Sequence, residues 1–292
     1  MLLPFLKWPG GKRWAAKHIA EIISPNLKGT YFEPFLGSGA VFFALGPSNA
    51  VLSDVNAELI NIYKAVKKQP EDICKKIKKL KVSKDNYYRI RSARPKLELD
   101  SAARFLYLNR TAFGGIYRLN QKGEFNVPYG GGERTPAILW ERDLLINASK
   151  ALKKVKVLQK DFEAILDSAS SDDVVYCDPT YTVTHDANGF IRYNENNFSW
   201  HDQERLAAAA ERAMKRGALV LISNAHHWSV KELYKKHKAK IYVLSRRSQV
   251  SRDPKKRRLV FEYFFVFEPK KNPITKSPEF KNLIQKSIFI PE

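Results

Sequence analysis

An α/β fold with a doubly wound, mostly parallel seven-stranded sheet is predicted by three observations in this chain. Short apolar, β-branched runs alternate with helical stretches. A clear Ala-rich helix separates the fourth and fifth runs. The interval 59–151 breaks that alternation with helical, lysine-rich material of its own. Strands are expected at 30–33, 51–54, 155–160, 174–178, 219–224, 241–245 and 259–267. The helix is expected over 201–216, starting after Ser199 and stopping at Gly217. Alternation of this kind argues a sheet covered on both faces. The last strand follows a loop rather than a helix, so it is expected to run antiparallel.

This pattern divides the chain into a first scaffold part at 1–58, an inserted helical module at 59–151, a second scaffold part at 152–268 and a Pro/Lys-rich tail at 269–292. Within the insertion, the charge run 75–84 reads as a solvated helix face. The aromatic, Gly/Asn-rich stretch 109–132 reads as a protruding hairpin, with turns at Gly114-Gly115 and 120–123. There is no internal repeat.

The chain has 292 residues, 44 % of them apolar, which suits one large domain carrying an insertion. Its 51 Lys+Arg against 30 Asp+Glu give a formal net charge of +21. A small-metabolite enzyme needs no such excess, whereas a polyanion binder uses cations to displace counterions from phosphates. Cys74 and Cys177 are too few for a disulfide framework and lack metal spacing, so a reducing cytoplasm is expected. Lys7 interrupts the apolar start before a signal core forms. No apolar run reaches the roughly 18 residues of a membrane span.

Residues 176–181 read Tyr-Cys-Asp-Pro-Thr-Tyr after Val174-Val175. An apolar strand ending this way presents the Asp178 carboxylate, the Pro179 carbonyl and the Tyr181 ring at one rim. Two oxygen acceptors can take both N–H bonds of an exocyclic amine while its ring stacks on the tyrosine. Cys177 precedes Asp178 on the opposite face and reads as a buried structural thiol. His226-His227 diverge on extended backbone and have no third ligand at sensible spacing, so no metal is expected.

Phe35-Leu36-Gly37-Ser38-Gly39 follows the first strand and opens onto a helix, where backbone N–H groups can meet a ligand. Phe42 stands where a dinucleotide fingerprint has its third glycine. Asp54 ends the second strand, where an acid pairs with ribose hydroxyls; the competing reading is a helix N-cap. The segment from Lys7 to Lys12 joins a ring, two glycines and a cation, suited to a cofactor carboxylate or a phosphate. It lacks the spacing of a nucleoside-triphosphate loop.

Lys-Trp-Pro-Gly-Gly-Lys, Phe-Glu-Pro-Phe-Leu-Gly-Ser-Gly, Asp-Val-Asn and Asp-Pro-Thr-Tyr, in this order, resemble the Dam-type DNA adenine-N6 methyltransferases. Residues 106–130 resemble that family's DNA-reading segment. The likeness spans about 5–267 and implies a Rossmann-like S-adenosylmethionine methyltransferase fold with the inserted module as a DNA-recognition domain. It implies Trp8, Lys12, Asp54 and Asp178 as cofactor contacts beside Phe35, Gly37 and Gly39, with Asp161 and Phe162 near the cofactor's adenine. It implies Asp178, Pro179 and Tyr181 at the target base, and Lys7, Phe113, Ile116, Arg118 and Pro128 at the DNA. Double-stranded DNA is the implied partner and GATC the site such readers often take. Thr180 stands where the family usually has a second proline.

Two further segments are expected at the DNA. Residues 245–258, with Arg246 and Arg247 at their head, form a phosphate-clamp candidate. The polar, aromatic stretch 182–199 reads as a lid beside a flipped base. A cytoplasmic monomer, with a restriction endonuclease acting on the same site, completes the expectation. Competing readings are an N4-cytosine or RNA amine methyltransferase, a DNA-binding relative without catalysis, and a nicotinamide oxidoreductase, which the missing glycine and the charge disfavour.

Overall fold

The computed structural model describes residues 1–8, 10–120, 122–131, 141–182, 198–247, 259–270, 273–276, 278, 280–281 and 289–291. Its strands are β1 (Tyr31–Glu33), β2 (Ala50–Asp54), β3 (Lys156–Gln159), β4 (Val174–Cys177), β5 (Leu219–Ala225), β6 (Lys240–Arg247), β7 (Leu259–Phe267) and β8 (Phe289–Pro291). Its helices are α1 (Ala16–Ile23), α2 (Ala40–Leu45), α3 (Ala57–Lys68), α4 (Pro70–Lys78), α5 (Lys84–Ser92), α6 (Glu98–Thr111), α7 (Arg142–Leu152), α8 (Phe162–Leu166), α9 (Trp200–Lys215) and α10 (Trp228–Lys236). The seven expected strands are all present, and β8 adds a short one beside β6. The strand order is β3-β2-β1-β4-β5-β7-β6-β8.

The chain forms two compact units, 1–17, 36–48 and 52–159 in the first, and 18–35, 49–51 and 160–292 in the second. In the second unit β1, β4 and β5 run parallel, with Tyr31 paired to Val174 and Cys177 paired to Ile222. Every residue of β4 and β5 is buried. That explains the apolar sequence of β4 and of residues 219–222, which a strand covered on both faces favours; the buried polar residues of β5, Ser223 and Asn224, are hydrogen-bonded to Tyr176 and Gln203. β7 is antiparallel to both β5 and β6, as its helix-free approach implied.

Helix α9 packs Leu206, Ala207, Ala210 and Ala213 inward at helical spacing. It starts with a capping box, in which Asp202 N–H donates to Ser199 Oγ at 3.2 Å and Ser199 N–H donates to Asp202 Oδ2 at 2.8 Å. Gly217 closes the turn after it with φ +99°.

The first unit holds α2 to α7 and β3. The charge run at 75–84 is not one helix. α4 stops at Lys78 and α5 starts at Lys84, because the Ser83 hydroxyl accepts from Asn86 N–H and caps a new helix. α4 does present lysines outward, with Ile73, Cys74 and Ile77 buried. α6 is buried over most of its length, and Arg104 on it donates to the Ile90 and Arg91 carbonyls at the end of α5. Ile90 O also accepts from Ala93 N–H, so the guanidinium adds a second donor there and one at Arg91 O.

After α6 the chain forms the expected hairpin. Leu119 bridges Phe125 and Ala112 bridges Tyr129. The tip closes by Gly123 N–H to Asn120 O at 2.9 Å. Gly114 and Gly115 lie at φ +62° and +67°, where only glycine is comfortable.

Candidate functional site

In the first unit, β2 delivers Asp54 beside the Leu36–Gly39 turn. Asp54 Oδ2 accepts from Gly37 N–H at 3.2 Å and Oδ1 from Asn56 N–H at 3.0 Å. Asp54 is not the cap of α3: Asn56 holds that role, accepting from Leu59 N–H at 3.1 Å. Burial pushes the Asp54 carboxyl above its usual range, and N–H donors from Asn56, Gly37 and Val55 pull it part of the way back. Tyr63 donates its hydroxyl to Gly37 O at 3.2 Å, fixing the turn from the other side.

Glycine is required at 37. Its φ is +46°, and a Cβ there would sit 2.9 Å from Trp8 Cδ1. The turn therefore backs directly onto the Trp8 indole. The indole also stacks on Tyr117 at 5.4 Å. Trp8 thus joins the glycine turn to the hairpin. Lys12 is buried, its Nζ 3.4 Å from Gly10 O. Gly39 starts α2 with φ +64°.

Lys7 sits on the same framework. Its backbone is held at both ends by Asn109 of α6, whose Oδ1 accepts from Lys7 N–H at 3.0 Å and whose Nδ2 donates to Lys7 O at 2.6 Å. A Cβ on Gly115 would lie 3.0 Å from the Lys7 side chain. The lysine stem therefore abuts the turn that carries Phe113 and Ile116. Phe113 is 59 % exposed. Its N–H donates to Pro128 O at 2.9 Å, and Pro128 is itself exposed. Arg118 Nε donates to Asn126 Oδ1 at 2.8 Å across the hairpin. The sequence-predicted DNA set at 7, 113, 116, 118 and 128 thus shares one corner of the first unit.

In the second unit, β4 ends at Cys177. Asp178 beyond it is half-buried, Pro179 buried, Thr180 exposed and Tyr181 half-buried. Burial first, then the Asp178 and Glu33 carboxylates, pushes the Cys177 thiol well above its ordinary range. It stays protonated and is no nucleophile. His227 caps α10, its Nδ1 accepting from Ser229 N–H at 3.3 Å, and His226 stacks on Tyr263 at 4.4 Å. Among the described residues no group of three or more His, Cys, Asp or Glu is placed to hold a metal ion.

Phe35, Phe162 and Phe198 form an aromatic cluster, with Phe35 stacked on Phe162 at 5.3 Å. Asp161 caps α8 through Glu163 N–H at 2.9 Å and takes Arg205 Nη2 at 2.8 Å. Arg205 also pairs with Glu163 and Asp202 and lies 4.8 Å over the Phe162 ring. The arginine side chains of Arg246 and Arg247, the loop 248–258 and residues 183–197 of the expected lid lie outside the described residues.

Sequence reasoning missed the residues that hold these pieces. Asn109, Tyr117 and Arg205 gave no motif. Gln203 did leave a signal, as the one polar residue on the apolar stripe of α9. It receives a hydrogen bond from the Tyr234 hydroxyl at 3.0 Å and one from Asn224 Nδ2 at 2.9 Å.

A family model described as D12 class N6 adenine-specific DNA methyltransferase matches residues 8–250. The type II methyltransferase M1.LlaDCHI of Lactococcus lactis subsp. cremoris is 37 % identical over 244 residues, covering 80 % of this chain and 85 % of that one. The type II methyltransferase M.MjaIII of Methanocaldococcus jannaschii is 36 % identical over 246 residues, covering 77 % and 84 %. The DNA adenine methylase of Escherichia coli K12 is 34 % identical over 274 residues, covering 91 % and 95 %.

Gly37→Ala should lower stability by about 1–2 kcal/mol from the left-handed backbone alone, with a further loss as the methyl displaces Trp8. Urea denaturation checks this; wild-type stability would show that the turn relaxes freely.

Proposed function

The chain belongs to the D12 class of N6 adenine-specific DNA methyltransferases, and from that premise we propose which residues carry the reaction, its methyl donor and its site. The reaction is methyl transfer to the N6 amine of adenine in DNA. Residues 59–151 are the target-recognition domain, between catalytic parts at 1–58 and 152–268.

The methyl donor is S-adenosylmethionine. The residues present suit it. Asp54 is half-buried with both oxygens oriented by backbone N–H groups, and Gly37 keeps the turn beside it free of side chain. Asp54 accepts from ribose hydroxyls. Phe162, with Phe35 and Asp161, meets the adenine, and Trp8 and Lys12 meet the amino-acid end. The cofactor supplies a sulfonium methyl, so the protein needs no covalent intermediate.

The single observation that carries the catalytic reading is the end of β4. A fully buried strand gives way to a half-buried carboxylate and then a proline carbonyl. The N6 lone pair of adenine is delocalised into the ring, which makes the amine a poor nucleophile. N–H bonds to Asp178 and to the Pro179 carbonyl favour a tetrahedral nitrogen and localise that pair. Catalysis is then positioning plus electrostatics. The base must leave the duplex to be reached. Tyr181 stacks on it, worth roughly 1–3 kcal/mol. Thr180 leaves both acceptors in place.

DNA is held by the net positive charge of +21 and read by the hairpin. Arg118 reads a guanine, Lys7 a second one, and Phe113 wedges the opened helix, with Ile116 and Pro128 beside them. Arg246 and Arg247 grip phosphates. The site is a short palindrome, GATC. Two relatives bear type II methyltransferase names, which supports a partner restriction endonuclease for the same site. A monomer in the cytoplasm is the working form, a setting supported by two free, buried cysteines. No helix among the described residues is long and apolar enough to cross a membrane.

Asp54→Ala leaves ribose hydroxyls unpaired and should weaken S-adenosylmethionine binding by about 1–3 kcal/mol in titration calorimetry; unchanged affinity removes Asp54 from the site. Asp178→Ala should still bind DNA but lose methyl transfer by orders of magnitude, so near-normal single-turnover rates would refute the amine-acceptor role. Arg118→Ala should relax specificity at one base pair by about 1–3 kcal/mol. Methylation rates on duplexes substituted one pair at a time distinguish this from a phosphate grip, which would slow all sites alike.

A further inference from the structure

Gln203 is fully buried, and so are Asn224 and Tyr234 around it. A buried amide is costly unless each of its groups finds a partner, so this cluster has a defined hydrogen-bond direction. The direction can be read from one end. The Ala225 backbone N–H is an unambiguous donor, and it lies 2.8 Å from Asn224 Oδ1. Asn224 must then offer its Nδ2 as donor, and Gln203 Oε1 accepts it at 2.9 Å. The Tyr234 hydroxyl donates to the same oxygen at 3.0 Å. With Oε1 so assigned, the amide cannot be flipped. Gln203 Nε2 is left as the donor that faces Thr182 Oγ1 at 3.3 Å and Asn224 Oδ1 at 3.4 Å.

Thr182 follows Tyr181 directly and closes the segment that begins at Asp178. We propose that Gln203 is a positioning residue for methyl transfer. The relay Ala225–Asn224–Gln203 anchors the Thr182 hydroxyl as an acceptor and so fixes the far end of the 178–182 segment. The Asp178 end is already fixed by β4. Held at both ends, the segment keeps the Pro179 carbonyl and the Tyr181 ring in one arrangement against the incoming amine. Gln203 touches neither base nor cofactor and acts through Thr182. The same direction leaves the Thr182 O–H pointing away from Gln203, as a donor. This inference rests on the reading of Asp178 and Pro179 as the amine acceptors.

Thr182→Val keeps the shape of the side chain and removes the acceptor. Gln203 retains Asn224 and Tyr234, and Thr182 is half-exposed, so folding should survive. Single-turnover transfer from tritiated S-adenosylmethionine to genomic DNA from a host lacking adenine methylation is the readout. Thr182→Val should lower the rate constant about tenfold, as the 178–182 segment loses the anchor that positions its acceptors. DNA affinity, cofactor affinity and melting temperature should stay near wild type. Thr182→Ser, which restores the hydroxyl, should recover the rate. A wild-type rate in Thr182→Val, or an equally slow Thr182→Ser, overturns the proposal. Asp178→Ala run alongside separates the two readings. An active Asp178→Ala removes the amine-acceptor reading itself; an inactive one beside a fully active Thr182→Val removes the role of Gln203 alone.

Discussion

A strand covered on both faces favours apolar residues, whereas the proposed chemistry on an exocyclic amine needs two oxygen acceptors at fixed separation. On that proposal the end of β4 reconciles the two demands. Val174 to Cys177 are fully buried between β1 and β5, which fixes where the backbone stops. The next two residues supply a carboxylate and a carbonyl from a residue without N–H, so no backbone donor from Pro179 competes at the rim. Neighbouring elements of the second unit pack around this point. α9 brings Gln203 beneath it, β5 brings Asn224, and β7 seals the far side of β5.

The first unit rests on an analogous device. Its N-terminal segment is bolted to α6 by side chains that bond backbone. Asn109 holds both polar groups of Lys7, and Arg110 donates to Phe5 O at 2.7 Å while pairing with Glu141. Trp8 is then stacked between the glycine turn and Tyr117. Many carboxylates of the second unit are committed to ion clusters such as Arg205 with Asp161, Glu163 and Asp202. Such clusters neutralise local charge and leave the chain's excess of 51 basic over 30 acidic residues to its other surfaces.

Much of this was legible in the sequence because the signals were local. Apolar density is highest at 259–267, which are the bounds of β7, and the Gly/Asn signals lie at the hairpin turns 114–115 and 120–123. The strand ends at Asp54 and before Asp178 are legible because each closes an apolar run. What stayed hidden depends on long-range partners. The break between α4 and α5 turns on a single serine cap inside a lysine-rich run, where charge masked it. β6 extends to Arg247 because its pairing with β7 carries it past the apolar residues. Asn109, Tyr117 and Arg205 meet residues far away in sequence, so no spacing rule reaches them, and Gln203 shows only as a polar residue on an apolar stripe, without its partners.

The identity of the methylated atom tests the account most directly. Wild-type protein expressed in a host lacking adenine and cytosine-N4 methylation should leave N6-methyladenine in the genomic DNA, seen by nucleoside mass spectrometry and mapped to one short palindrome. N4-methylcytosine in its place, or no modified base from a folded, cofactor-binding protein, would contradict it.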